Sequence, residues 1–166
     1  MQQPIDVEEV RKFISDQSAA TRIYLGCDSE RVKLHNSWWA DYTLAIVVHI
    51  NGNNGCKIFG EVQRERDYDQ RAGRPALRLM NEVYKVSDLY QKLNDVVINR
   101  QVEVHLDINP DERRGSNCVI TQAIGYIKGT CNVTPLVKPY AFAASCAADR
   151  FKGLAGARLK SVNSTF

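Results

Sequence analysis

A five-residue turn, NGNNG at 51–55, constrains this chain more than any other feature in it. Before it stands YTLAIVVHI (42–50), a nearly unbroken apolar run rich in β-branched residues, which is the composition of a central strand. After it comes CKIFGEVQR (56–64). Asn and Gly tolerate the left-handed backbone that a tight reversal needs, so the two runs are expected to pair as an antiparallel hairpin. Any fold for this chain must therefore accommodate a sheet.

The remaining elements arrange themselves around that hairpin. Asp6 followed three residues later by Glu9 marks a helix start, and Val7, Val10, Phe13 and Ile14 recur at helical spacing to about Gln17. RIYLGCD (22–28) alternates Ile23, Leu25 and Cys27 on one face with Tyr24, Gly26 and Asp28 on the other, as a strand does. A turn-like stretch is expected between it and residue 42. From Pro75 to Asp95 the pattern is helical, with Leu79, Val83, Val86, Tyr90 and Leu93 on one stripe and Pro75 acceptable in a first turn. VEVHLDI (102–108) supplies a fourth strand, Ser116 to about Lys128 a shorter helix, TPLVKP (134–139) a fifth strand, and 141–152 a last helix. The tail after Gly153 reads as frayed. Antiparallel pairing first and parallel crossovers later give one α/β domain, a mixed five-stranded sheet with helices on both faces. This order is that of the ribonuclease H-like fold.

Composition limits what such a domain does. With 166 residues, 44% of them hydrophobic, the chain is the size of one compact domain spanning 1–166. Its net charge of +3 permits a nucleic-acid partner without requiring one. The cysteines, Cys27, Cys56, Cys118, Cys131 and Cys146, are odd in number and contain no C-x-x-C pair. That argues against a disulfide framework and a structural zinc site and for reduced thiols in a cytoplasm. No run is long enough to cross a bilayer and the N-terminus lacks an apolar signal core, so a soluble protein is expected.

Four acids stand out on this scaffold. Asp28 ends the first predicted strand and Asp107 the fourth, and the topology sets those strands side by side and parallel. Glu82 falls within the apolar arc of its helix, and Asp149 lies three residues from Cys146 and seven from Phe142 on the inner face of the last helix. Each has a plainer alternative: a strand-ending Asp is often a turn former, Arg78 is placed to pair with Glu82 at i−4, and Asp149 can pair with a neighbouring base. Convergence of all four is costly unless something positive compensates them. An all-oxygen cluster suits Mg2+ or Mn2+, and two such ions roughly 3.5–4 Å apart support phosphodiester hydrolysis.

IYLGCDSE, RLMNEV, VHLDI and VKPYAFAASCAADRFK resemble, in order and spacing, the YkuK family of ribonuclease H-like proteins. The most specific piece is the closing K-P-x-x-x-A-A-S-x-x-A-D run. The resemblance spans the opening helix to Lys152, and implies the fold and a nuclease site with Asp28, Glu82, Asp107 and Asp149 as its metal-binding and catalytic set; nucleic acid as the partner follows from the phosphodiester chemistry of that set. The sequence departs from that family at Cys27 and at Glu30, where an amide is more usual. Asp28-Ser29-Glu30 matches the opening of proofreading-type exonucleases, which is a second reading, although no Tyr or His precedes Asp149 by four or five residues. A third reading is a non-catalytic nucleic-acid or protein-interaction module on the same fold. A nucleotide-dependent phosphotransferase is disfavoured by the lack of a Gly-rich phosphate loop.

Other residues carry weaker signals. Arg71 and Arg74, in the charged link 64–78, and Arg113 and Arg114, just beyond Asp107, are candidates for phosphate contact or a solvated surface. His105 shares alternation with Asp107 and stands behind it as a candidate support, or is a satisfied core residue. Of Trp38 and Trp39, one must point outward if the stretch is extended, where it either stacks on a base or packs under the opening helix.

Overall fold

The computed structural model describes residues 3–71 and 73–143. Helix α1 (Val7–Ser15) starts where predicted: the Asp6 carboxylate accepts from the N–H groups of Glu8 (3.0 Å) and Glu9 (3.1 Å), which satisfies two of the first turn's unpaired donors. Its Val10 and Ile14 are fully buried.

Strands β1 (Arg22–Leu34), β2 (Ser37–His49), β3 (Cys56–Arg66) and β4 (Gln101–Leu106) form one mixed sheet in the order β3-β2-β1-β4. β2 and β3 pair antiparallel across the predicted turn, where Asn51, Gly52 and Gly55 take positive φ values of 52°, 80° and 85°. β1 and β4 pair parallel, Cys27 against Leu106.

Two expectations about the sheet need correction. First, β1 does not end at Asp28: it runs on to Leu34 and turns directly into β2, which begins at Ser37 rather than residue 42. The reversal is His35-Asn36, with φ of 46° and 62°, a two-residue hairpin turn without glycine. Asn enters the left-handed region readily, but the apolar alternation that betrays a strand has already stopped at Cys27. Second, among the described residues the sheet has four strands, not five. Segment 134–139 lies beside β4 through a single parallel bridge, Leu136 to His105, with Leu136 exchanging backbone hydrogen bonds of 2.9 Å with Val104 and Leu106. Pro135 and Pro139 lack the N–H groups that a longer ladder would use.

Helix α2 (Ala76–Val97) lays Leu79, Val83, Val86, Tyr90 and Leu93 against the sheet, as its stripe predicts. A 3-10 turn (Gly115–Val119) leads into α3 (Ile120–Cys131), which starts later than predicted and stops at Asn132 in the left-handed conformation, φ 56°. The three helices of the described residues join one core with Ile23, Leu25, Ile46, Val48, Val104 and Leu106. They therefore cover one face of the sheet. On the other face a smaller cluster holds Tyr24, Ala45, Val47 and Ala143. The helix expected there, 141–152, lies outside the described residues beyond position 143. Among the described residues no helix is long and apolar enough to cross a membrane.

Candidate carboxylate site

Because Cys27 and Leu106 are partners on parallel strands, the next positions, Asp28 and Asp107, leave the β1–β4 pair side by side. Asp28 is still within β1, opposite Thr43 of β2, whereas Asp107 is the first residue past β4. Alternation with Cys27 and Leu106, both in the main core, assigns the two acids to the face away from the helices. Asp107 is met there by Lys138, whose Nζ lies 2.8 Å from Oδ1. The lysine is steadied by its own backbone N–H, which donates to the carbonyl of Ile108 at 3.1 Å.

Glu82 approaches from the other side. Its helix turns it inward, only 4% exposed, where the Ser29 hydroxyl donates to Oε1. Arg78 does not pair with Glu82 directly. Its Nη1 instead donates to the Ser29 carbonyl (2.9 Å) and hydroxyl (2.8 Å), tying the helix to β1. Burial pushes the Glu82 carboxyl well above the usual carboxylate range; the hydroxyl of Ser29 and the charge of Arg78 oppose the shift, and the charges of Asp28 and Asp107 add to it. Glu82 thus feels both strand acids, and three of the four expected carboxylates are electrostatic neighbours. They do not enclose a cage: among the described residues no three His, Cys, Asp or Glu side chains are gathered closely enough to hold a metal ion. Asp149, the fourth, lies outside the described residues.

His105 is a satisfied buried residue. The N–H of Ala143 donates to Nδ1 at 3.0 Å, so Nε2 carries the proton and donates to Glu103 at 2.9 Å. Burial lowers its pKa, with Glu103 opposing. Its ring packs against Tyr24 (5.5 Å between centroids) and Phe142 (4.7 Å).

The arginines of the two flanking loops are brought together. A side chain on Gly115 would sit 2.0 Å from the carbonyl oxygen of Gly73, so the backbones at Gly73 and Gly115 touch and only glycine fits at 115. Arg71, Arg74, Arg113 and Arg114 are all exposed on this rim. Arg113 is held by Asp111 (Nη2 to Oδ2 2.8 Å), which drops the Asp111 carboxyl below its ordinary range. The other three have no salt bridge among the described residues. Elsewhere in the 64–78 link the basic residues are structural: Arg64 pairs with both oxygens of Asp41 at 2.5 and 2.6 Å.

Sequence reasoning missed Ser29, Lys138 and the pair Asp67 and Asp69. Ser29 was accessible, because strand parity puts it on the same side as Cys27, facing the helix. Lys138 was not, since its contact depends on a segment that barely pairs with the sheet. Asp69 caps α2 from outside the helix, its carboxylate accepting from the N–H groups of Leu77 (2.9 Å) and Arg78 (2.8 Å). Ordinary capping places the acceptor next to the helix, and this one is several residues away.

With this geometry in view, a family model described as ribonuclease H-like matches residues 6–152. No curated protein matches the chain, and no solved structure does.

Proposed function

The chain belongs to the ribonuclease H-like family, and from that premise we propose that it is a metal-dependent nuclease whose site is the end of the β1–β4 pair. The observation that carries this reading is the adjacency of Asp28 and Asp107 on parallel strands, beside Glu82, whose pKa is raised by burial and further by the charge of both. The donors are all oxygen, which fits Mg2+ or Mn2+. The ammonium of Lys138 already stands beside Asp107, a sign that positive charge is favoured there. Asp28, Glu82, Asp107 and Asp149 are the residues that would hold the ions, which when bound supply charge neutralisation for the phosphodiester and a more acidic water. Glu82, buried and easily protonated, keeps the site from accumulating negative charge before cations arrive. Arg71, Arg74, Arg113 and Arg114 hold phosphates of the bound strand at the rim, fixing its position rather than its sequence. We assign the chain, as one domain, to the YkuK branch on its K-P-x-x-x-A-A-S-x-x-A-D run, and its reduced thiols to a cytoplasmic setting.

The Lys138–Asp107 ion pair also favours a second reading, a binding module without turnover, because it satisfies Asp107 with no metal at all. One experiment separates the two. Labelled RNA, DNA and hybrid substrates are incubated with wild type and Asp28→Asn, with manganese or with chelator. Manganese-dependent products from wild type alone support the nuclease, and shortened ladders against internal fragments separate the exonuclease form from the endonuclease form. Salt-dependent binding without cleavage supports the module. Manganese should also raise the melting temperature of wild type, a shift that Asp107→Asn largely removes.

A further inference from the structure

We propose that the arm formed by residues 29–41, where β1 and β2 run on past the end of β4, is a stacking site for single-stranded nucleic acid with Trp38 as its platform. It deepens the nuclease reading by naming how the strand is held away from the carboxylates. Trp38 is 42% exposed although it sits within a strand. Its ring is not loose: the Arg31 guanidinium carbon lies 4.3 Å from the ring centroid. Arg31 is itself clamped, Nε 2.7 Å from Asp67 Oδ2 and Nη2 donating to the Asp69 carbonyl at 2.9 Å. A large apolar surface in water, held flat by a fixed guanidinium, is pre-organised for a planar ligand and loses little entropy on binding one.

Charge selects a nucleic acid among planar ligands. Lys33, the cross-strand partner of Trp38, holds its ammonium 5.6 Å from the same ring and has no salt bridge among the described residues. Every stacked base brings a phosphate within reach of such a cation, whereas an aromatic side chain of a protein partner need not. Position sets a length. The arm leaves the sheet at the end that carries Asp28, and Lys33 lies five residues beyond it along β1. At about 3.3 Å per residue that is roughly 16 Å, or about five nucleotides at about 3.4 Å each. Alternation puts Trp38 and Lys33 on the face of Cys27 and Ser29, opposite to Asp28 and Asp107, so a strand lying over the two acids reaches Trp38 only by passing around the edge of the sheet and only if it is longer than a few nucleotides.

The test uses the whole chain with chelator present, so that binding is read without hydrolysis. In a Trp39→Phe background Trp38 is the only tryptophan, and its fluorescence reports directly on the arm. Oligothymidylate of fifteen nucleotides should quench it saturably, and a dinucleotide should not. Anisotropy with a labelled fifteen-mer should show about tenfold weaker binding for Trp38→Ala, in line with the stacking contribution of one base, and near-complete rescue by Trp38→Phe. Lys33→Gln should lower the slope of log affinity against log salt by about one. Equal affinity in Trp38→Ala and wild type overturns the proposal, as does equal loss in Trp38→Ala and Trp38→Phe. Quenching by an acidic peptide but not by the oligonucleotide overturns it in favour of a protein partner. Trp38-dependent binding without any manganese-dependent cleavage upholds the stacking site and sinks the nuclease reading alone.

Discussion

β1 is two strands in one. Its first half, through Cys27, is buried and pairs on both sides, with β2 and with β4; its second half, 28–34, pairs among the described residues with β2 alone and is half-buried or exposed throughout. The first half is held by burial, since Ile23 and Leu25 are wholly inaccessible. The second is held by the cross-strand ladder and by cations over rings: Arg31 on Trp38, and Arg66 on Trp39 at 5.6 Å. A strand needs an apolar face only where something packs on it. The acid Asp28 sits at the boundary, where solvent first reaches the sheet.

The comparison is sharpest in matched truncations on this one strand. Leu25→Ala, opposite Ile46 and Val104, should cost about 2–5 kcal/mol in denaturant unfolding, as large-to-small changes in closed cores do. Val32→Ala, opposite Trp39 in the arm, should cost under about 1 kcal/mol. Equal costs would mean that the arm is packed in solution.

At the boundary the effect depends on pH. Burial raises the Glu82 pKa, so the folded state keeps its proton after the unfolded chain has lost it. Stability therefore falls as pH rises from the unfolded carboxylate value of about 4.3 toward the raised folded value. Glu82→Gln should remove that slope: the variant gains on wild type as pH rises and matches it most closely in acid. Melting curves without metal from pH 4 to 8 decide this. A parallel pair of curves would mean that Glu82 ionises as freely folded as unfolded.

The smallest effect belongs to the arm. Trp39→Ala, losing the cation–π contact of Arg66 with a half-buried ring, should change stability by about 0.5–1 kcal/mol. A drop comparable to that of Leu25→Ala would erase the distinction between the halves.

Legibility followed the same divide. The buried half of β1, the NGNNG hairpin, the stripe of α2 and the Asp6 cap were readable because local backbone period and burial leave a pattern in the residues. The arm was not, because LHNS turns the chain without glycine and the residues around it answer to rings and charges rather than to a core. The fifth strand was misjudged because TPLVKP is apolar enough to pack but carries two prolines that cannot ladder.

For the site, sequence periodicity determined which way a residue faces: Glu82 into the core, Asp28 opposite to Cys27, Asp107 opposite to Leu106. It could do so because side-chain direction repeats every 2 residues along a strand and every 3.6 along a helix, whatever the rest of the chain does. Tertiary structure alone decided the partners. That Ser29 bonds Glu82 across 53 positions, that Lys138 meets Asp107 and that Gly73 touches Gly115 depend on packing and loop paths. These bring together residues far apart in the chain, and no local period encodes such encounters.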